Sequence, residues 1–597
     1  MTHPTSPSIS QQPPTELQPP SRATSLATGF TPTPREWLYC LAAVLILSLA
    51  YLLMTNGRWH PGTDTAYYIS ISRSLAQGKG FLFNGGPVGK VPPLWPLLLA
   101  GAMKISGSFW FLNIIPAACL VISAACWYWI LRRLVSPGRA LATVLLSGML
   151  FFSFVSAVQL RTEALFCLFF SAALLLGTQV GAGRVHAWRI AAAALLCGLM
   201  VGVRWTGLTC CLVVAAAIVS GQFRFDQRRR SVALTLVILT SIASFAGFRY
   251  MLAHLPKAIR PPAVRTAGNG EATPGNNGGA LPEDMDALPL PIMQAIITRA
   301  GARELFDRVA SSGKWPSSLL WMPTYLGVTS RAAATVTNPL GWFLIIMFML
   351  CLWNDAANRR WIWIGTLLYC LSLVVRWKIP NPRYLVPVAP LIILGAWLGM
   401  EHLAAWCRRP LFRKSWTVAA TLFVVSIGLC NTALWGVEVY IARSHDFYGR
   451  YMAGENDQLI AAAKYLTDRS VQSGQTAVNF SYVNLGRIRR NGQGWRSMHL
   501  LTDRGIRIVS KKICTDEPNQ DLLDWAAGKG VKYYLYRPPV SPWRAHHFRI
   551  AWWQRLATGQ KDIAENPSWV LYELSNDKAT RIDLPDVRDW PTRVPGI

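Results

Sequence analysis

The sequence predicts a mainly α protein: a polytopic membrane helix bundle of about eleven spans, followed by a C-terminal α/β domain on the extracytoplasmic side. Three observations predict it. Apolar runs long enough to cross ~30 Å of hydrocarbon recur along the first three quarters of the chain. The connections between them alternate between short arginine-rich turns and loops without such clusters. Beyond Arg443 the long apolar runs stop, and short helix-like and strand-like patterns replace them.

Residues 1–35 are rich in Pro, Ser and Thr and lack the apolar centre of a signal peptide, so they read as a disordered cytoplasmic tail. Residues 36–436 form the transmembrane domain. Its first span runs from Trp37 to Met54, and an outer loop, 55–109, follows that is too long for a simple connector. The second half of that loop, Pro92 to Ile105, is apolar, short and interrupted by proline, which suits a helix lying in the interface. Further spans are expected at 110–131, 139–157, 164–180, 188–203, 207–222, 231–252, 338–354, 361–375, 384–400 and 415–436. A second outer loop, 253–337, holds a Gly/Asn/Pro-rich stretch from Thr266 to Gly279 and an aromatic run from Trp315 to Leu326. Residues 437–597 have the size of one compact unit. A helix is expected at Gln458 to Leu466 and strands at Thr476 to Phe480, Gly505 to Val509 and Val531 to Tyr536.

The formal charge of +29 would suit a nucleic-acid partner, but its placement argues against one. With the N-terminus in the cytoplasm and spans alternating, the clusters at Arg132 and Arg133, Arg228 to Arg230, Arg359 and Arg360, and Arg408 to Lys414 all fall inside. This fits a multi-pass protein of the cell inner membrane. The stretches 158–163, 204–206, 376–383 and everything after 437 then lie outside with the two long loops. Ten of the twelve cysteines sit in apolar spans as small hydrophobes, and no pair has metal-ligand spacing.

The first outer loop reads Gly-Thr-Asp64-Thr-Ala-Tyr67-Tyr68-Ile-Ser-Ile-Ser-Arg73-Ser-Leu-Ala, then Gly78-Lys-Gly80 and Pro92-Pro93-Leu94-Trp95-Pro96. Asp64 precedes an amphipathic helix, where it would serve as an N-cap while still able to face a cleft. Three more outer stretches follow: Arg161-Thr162-Glu163, Val203-Arg204-Trp205, and Arg383-Tyr384-Leu385-Val386-Pro387.

In this order the four stretches resemble the GT-C superfamily of membrane glycosyltransferases, in particular the bacterial relatives of protein O-mannosyltransferase and aminoarabinose transferase. The resemblance covers roughly residues 36–400. It implies a GT-C-like bundle that moves a sugar from a polyprenyl-phosphate donor to an acceptor glycan, lipid or protein, with inversion at the anomeric carbon. It makes Asp64 the general base. Arg204, Arg383 and Lys90 would lie near the donor phosphate, Glu163 would orient the acceptor or hold an arginine, and Tyr67, Tyr68 and Tyr384 would line the substrate site. Where many relatives carry a second acid, Thr65 follows Asp64, so one carboxylate at most would help hold a divalent cation. Lys90 is displaced by one residue from the proline pair, because Val91 intervenes.

Plainer roles stand beside these. Arg383 would also suit an interface anchor, Glu163 a partner for Arg161 or Arg204, and the two tyrosines packing. A transporter of a lipid-linked sugar would use intramembrane charges too, but the sequence carries no clear internal repeat of the kind common there. A non-catalytic envelope scaffold is the third reading.

Overall fold

The computed structural model describes residues 32–60, 63–83, 86–88, 91–179, 187–219, 227–254, 314–321, 330–355, 360–376, 382–407, 409–443, 457–479, 484–485, 488–489, 501–502, 506–509, 518–536, 570–575, 577–584 and 592–597. Lys90, the stretch Thr266 to Gly279 and most of the N-terminal tail lie outside them.

Helix α1, Pro34–Met54, starts on a capping box: the Glu36 amide donates to Thr33 Oγ1 and the Thr33 amide to Glu36 Oε2. Helices α2 (Thr63–Ala76) and α3 (Leu94–Ile105) occupy the first outer loop, with a two-residue ladder between β1 (Leu82–Phe83) and β2 (Gly86–Pro87). Helix α3 buries Trp95, Leu99 and Met103 while Leu97, Leu98 and Ile105 face outward, an apolar surface suited to lipid. There follow α4 (Phe109–Arg132), α5 (Pro137–Gly148), α6 (Phe151–Val158), α7 (Thr162–Gln179), α8 (Ala187–Val203), α9 (Gly207–Val219) and α10 (Gln227–His254). Then come α11 (Lys314–Trp321), α12 (Ser330–Asn354), α13 (Arg360–Arg376), a 3-10 turn at Pro382–Val388, α14 (Ala389–Trp406) and α15 (Pro410–Arg443).

This is a multi-pass membrane protein. Five segments are long and apolar enough to cross a bilayer: Pro34–Met54, Phe109–Arg132, Ser231–Met251, Pro382–Trp406 and Pro410–Arg443. The pair α5 and α6, bent by 62°, makes up to a sixth. Shorter apolar helices stand where the remaining spans were expected. Ion pairs tie helix ends that carry basic clusters. Arg132 at the end of α4 pairs with Glu36, and Arg139 at the start of α5 reaches Glu401 near the end of α14 at 2.8 Å.

Two expected spans are not single straight helices. The run 139–157 breaks after Gly148, where Leu47 packs so close that a Cβ on the glycine would lie 2.7 Å from its methyls. The break exposes backbone groups that lipid cannot satisfy. Tyr51 donates its hydroxyl to the Gly148 carbonyl (2.9 Å), and Asn431 Oδ1 accepts from the Phe151 amide (2.9 Å). The run from 384 opens as a 3-10 turn, because Pro387 and Pro390 remove donors and disfavour α geometry in the residues before them.

Between α1 and α2, Trp59 and His60 are buried. Burial pulls the His60 pKa down to about 3. The unfolded chain accepts a proton near ~6.5 that the folded chain refuses, so stability is lost as pH falls below that point. The melting temperature of solubilised protein is expected to drop between pH 7.5 and 5.5 by more in the wild type than in His60→Asn. Equal drops would remove His60 as the cause.

The C-terminal region contains α16 (Asp457–Asp468) and a five-stranded sheet. Strand β3 (Thr476–Asn479) runs parallel to both neighbours, β4 (Ile506–Val509) and β5 (Tyr533–Tyr536). Strands β6 (Val570–Leu574) and β7 (Ala579–Ile582) extend it antiparallel from β5. All four residues of β5 are buried, as befits a strand covered on both faces. Helix α17 (Gln520–Lys529) starts on the Asn519 cap and ends at Gly530, whose φ of 64° a side chain would strain. The first three strands lie where the sequence places them; β6, β7 and α17 are additional.

Candidate active site

Four separate stretches bring their charged residues into one cluster. Helices α2 and α7 carry Asp64 and Glu163 in their first turns, where the partial positive charge of a helix N-terminus favours acids. The tight connection from α8 to α9 carries Arg204. It depends on Gly207, because a Cβ there would come within 2.6 Å of the Met200 carbonyl carbon. The 3-10 turn carries Arg383 and Tyr384, and Tyr369 of α13 fixes it from behind by donating to the Tyr384 carbonyl at 2.6 Å.

Asp64 is not an N-cap. Helix α2 begins at Thr63, so Asp64 lies inside the first turn, and its carboxylate faces another element. Arg383 Nη1 donates to Asp64 Oδ2 at 2.7 Å. Arg383 Nε lies 3.4 Å from Glu163 Oε1, and Arg204 Nη1 approaches that same oxygen to 2.7 Å. Both guanidinium groups also lie over the Tyr384 ring, at 4.6 Å for Arg204 and 5.2 Å for Arg383. Arg383 Nη2 reaches the Tyr384 hydroxyl at 3.3 Å.

Exposure grades through the cluster. The Glu163 side chain is 4% exposed and that of Asp64 34%. A carboxylate as deep as Glu163 needs compensating charge, and Arg204, Arg383 and Arg161 all act on it. Burial by itself would lower the pKa of Arg204; the Glu163 carboxylate, together with Tyr384 and Tyr68, raises it above its ordinary value. Among the described residues, three guanidinium groups against two carboxylates leave one net positive charge, a setting that suits an incoming anion.

The structure thus brings together Asp64, Glu163, Arg204, Arg383 and Tyr384. Tyr68 joins them: Asp64, Arg204 and Glu163 all act on its phenol, which burial and Asp64 hold in its protonated form. Tyr67 packs on Phe83, ring centroids 4.5 Å apart, with the Tyr68 ring 6.3 Å away. Arg383 points into the cluster and not to a lipid interface, and of the two partners open to Glu163 it is Arg204 that makes the short contact. Tyr369 was not among the expected site residues. Its only sequence signal is a hydroxyl within an apolar run, which many spans share.

A divalent cation fits this donor set poorly. Among the described residues no group of three or more His, Cys, Asp or Glu comes together, and Arg383 already takes one oxygen of each of Asp64 and Glu163. Thr65, beside Asp64, adds a buried hydroxyl rather than a second acid.

No family model matches the chain, and no curated protein matches it in sequence. Solved structures match in fold. The oligosaccharyltransferase of Archaeoglobus fulgidus, tethered to an acceptor peptide, aligns with a TM-score of 0.51 at 12% identity, over 84% of this chain and 69% of that one. ArnT from Cupriavidus metallidurans in the apo state aligns over 90% and 97% of the two chains, with a TM-score of 0.47 at 12% identity. The Pmt1-Pmt2 protein O-mannosyltransferase complex of S. cerevisiae gives 0.30 at 14% identity, over 37% and 33%.

Proposed function

Because the chain has the fold of the GT-C membrane glycosyltransferases, we propose that it moves a sugar from a polyprenyl-phosphate donor to an acceptor at the outer face of the cytoplasmic membrane, with inversion and with Asp64 as general base. The observation that carries this reading is the pair Arg204 and Arg383 gathered on the buried Glu163 carboxylate, with Arg383 also holding the half-open carboxylate of Asp64 beside them. The C-terminal sheet lies on the same outer side in this scheme, opposite the Arg-rich helix ends.

The acceptor oxygen attacks the anomeric carbon as the bond from that carbon to the donor phosphate oxygen breaks. The electron pair leaves with the phosphate, and Asp64 takes the acceptor's proton. Negative charge grows on the leaving oxygen, and positioned guanidinium groups stabilise it there. Arg383 is suited to that task because it already touches Asp64: turning toward the phosphate loosens its hold on the carboxylate that must act as base. Glu163 keeps Arg204 and Arg383 in place, and Tyr384 supports both planes.

Purified protein in liposomes should transfer sugar from a synthetic polyprenyl-phosphate sugar and ignore a nucleotide sugar. Turnover with the nucleotide sugar alone, without lipid carrier, would refute the donor assignment. Movement of the lipid-linked sugar across the bilayer with transfer to nothing would establish a transporter instead. Arg383→Gln should slow transfer by roughly 10²-fold if that residue stabilises the phosphate, and an unchanged rate removes it from the site.

A further inference from the structure

Residues 592–597 lie not on the sheet but on the first outer loop. The Phe109 amide donates to the Thr592 carbonyl (3.0 Å) and the Val594 amide to the Gly107 carbonyl (2.9 Å), forming a bridge between Ser108 and Arg593. Val594 is 1% exposed. Ile597 fills the space over Gly107, where a Cβ would lie 3.2 Å from its own Cβ. Two further contacts come from the C-terminal end of α2, the helix that carries Asp64, and from the residue just after it. Arg73 Nη1 donates to the Pro595 carbonyl (3.1 Å) and Gln77 Nε2 to the Gly596 carbonyl (2.9 Å).

We infer that residues 592–597 are a strap that holds the C-terminal end of α2, and that Arg73 is a positioning residue for Asp64. In its effect on turnover this rests on the proposed sugar transfer; as a statement about the outer loop it does not.

The physical case runs through α2 itself. A helix of 14 residues is marginal alone and takes its order from what its ends and faces touch. Its N-terminal end is tied by Asp64 to Arg383, and its C-terminal end by Arg73 and Gln77 to the strap. A stiff rod rising ~1.5 Å per residue transmits any tilt at one end to the other, about 13 Å away. Arg73 is 1% exposed, and a guanidinium so deeply buried requires acceptors. The Pro595 carbonyl is one of them. Without the strap that donor faces water or drags the helix end outward, and the Asp64 carboxylate moves with it. The strap also pairs with Gly107 and Phe109 at the entry to α4, so α2 and α4 share one anchor.

Two measurements on the full-length protein in membranes test this. Gly107→Cys combined with Ile597→Cys places two Cβ atoms 3.2 Å apart, a few tenths of an ångström inside the usual disulfide spacing of about 3.5–4.5 Å, so the strap need shift outward only slightly to link. Mild oxidation should link them in high yield, as read by mass spectrometry of the joined peptides; absence of the link, with the protein folded, overturns the docking. Deletion of residues 592–597, or Arg73→Ala, should raise amide exchange across residues 64–76 by about tenfold or more while α4 and α7 stay protected. The two changes together should do no more than the deletion alone, and Arg73→Lys should restore part of the protection. Unchanged exchange in α2 overturns the positioning role. With an active wild type, both variants should lower kcat by about tenfold and leave the KM for lipid donor nearly unchanged; an altered KM with full kcat would argue against action through Asp64. Should the wild type transfer no sugar at all, the functional reading fails, while linkage and exchange still decide the strap.

Discussion

Asp64→Asn is expected to fold, insert and bind lipid donor as the wild type does, while transferring sugar roughly 10²–10⁴-fold more slowly. The substitution keeps shape and removes charge and basicity. Arg383 still finds an acceptor in the amide oxygen, and it retains the Glu163 carboxylate and the Tyr384 hydroxyl and ring. The helix loses only a favourable charge in its first turn, worth about 0.3–1 kcal/mol. A carboxylate with a reference pKa near ~3.9 is a weak base, so it accepts the proton late, once the attacking oxygen has turned acidic. The amide cannot accept it at all. Transfer from a fluorescent polyprenyl-phosphate sugar, normalised to folded protein, is the measurement. A normal rate would make Asp64 a partner for Arg383 and nothing more.

Glu163→Gln should cost about 3–5 kcal/mol of stability, the usual penalty for removing one member of a buried pair. The reason is what remains. Arg204 and Arg383 converge on a single Glu163 oxygen, and with the carboxylate gone two guanidinium groups face each other in a nearly dry pocket. The substitution should therefore lower the melting temperature of solubilised protein sharply, and a second change, Arg204→Met, should recover part of the loss. A shift smaller than that of a surface control would mean that water or backbone already neutralises the pair. The same variant should lose transfer activity through displacement of Arg383, without touching the acceptor's proton.

The charged cluster was legible chiefly through the resemblance of its four stretches, in order, to a known family. Glu163, Arg204 and Arg383 also sit at the ends of apolar runs, where an ionisable group needs a reason to be, whereas Asp64 lies in the polar first outer loop and carries no such signal. What the sequence could not supply was who touches whom. Glu163 had two arginines within reach in sequence terms, and its second partner comes from a turn more than two hundred residues away. Tyr369 escaped notice, and Arg73, quoted in the first-loop motif, was given no role, because their partners are backbone carbonyls, which carry no sequence signature. The bend between α5 and α6 was hidden for a related reason. Hydropathy measures how apolar a stretch is, and a broken span is as apolar as a straight one. Strands β6 and β7 flank stretches of mixed polarity, and their pairing with β5 is set by the sheet rather than by their own pattern.

The bent pair also has a history within the lifetime of a single molecule. Asn431, which takes up the Phe151 amide, lies 280 residues further along the chain, in α15. At about 5–20 residues per second a ribosome needs roughly 15–60 s to make that stretch. During this interval the pair α5 and α6 is already at the membrane and its future partner does not exist. Until then the break at Gly148 lacks the acceptor that Asn431 supplies, and loss of a backbone acceptor is costly in hydrocarbon. The segment is therefore expected to enter as one continuous helix and to fold at Gly148 only when α15 arrives. Asn431→Leu should then trap it in the straight form, as a late assembly defect rather than a failure of insertion.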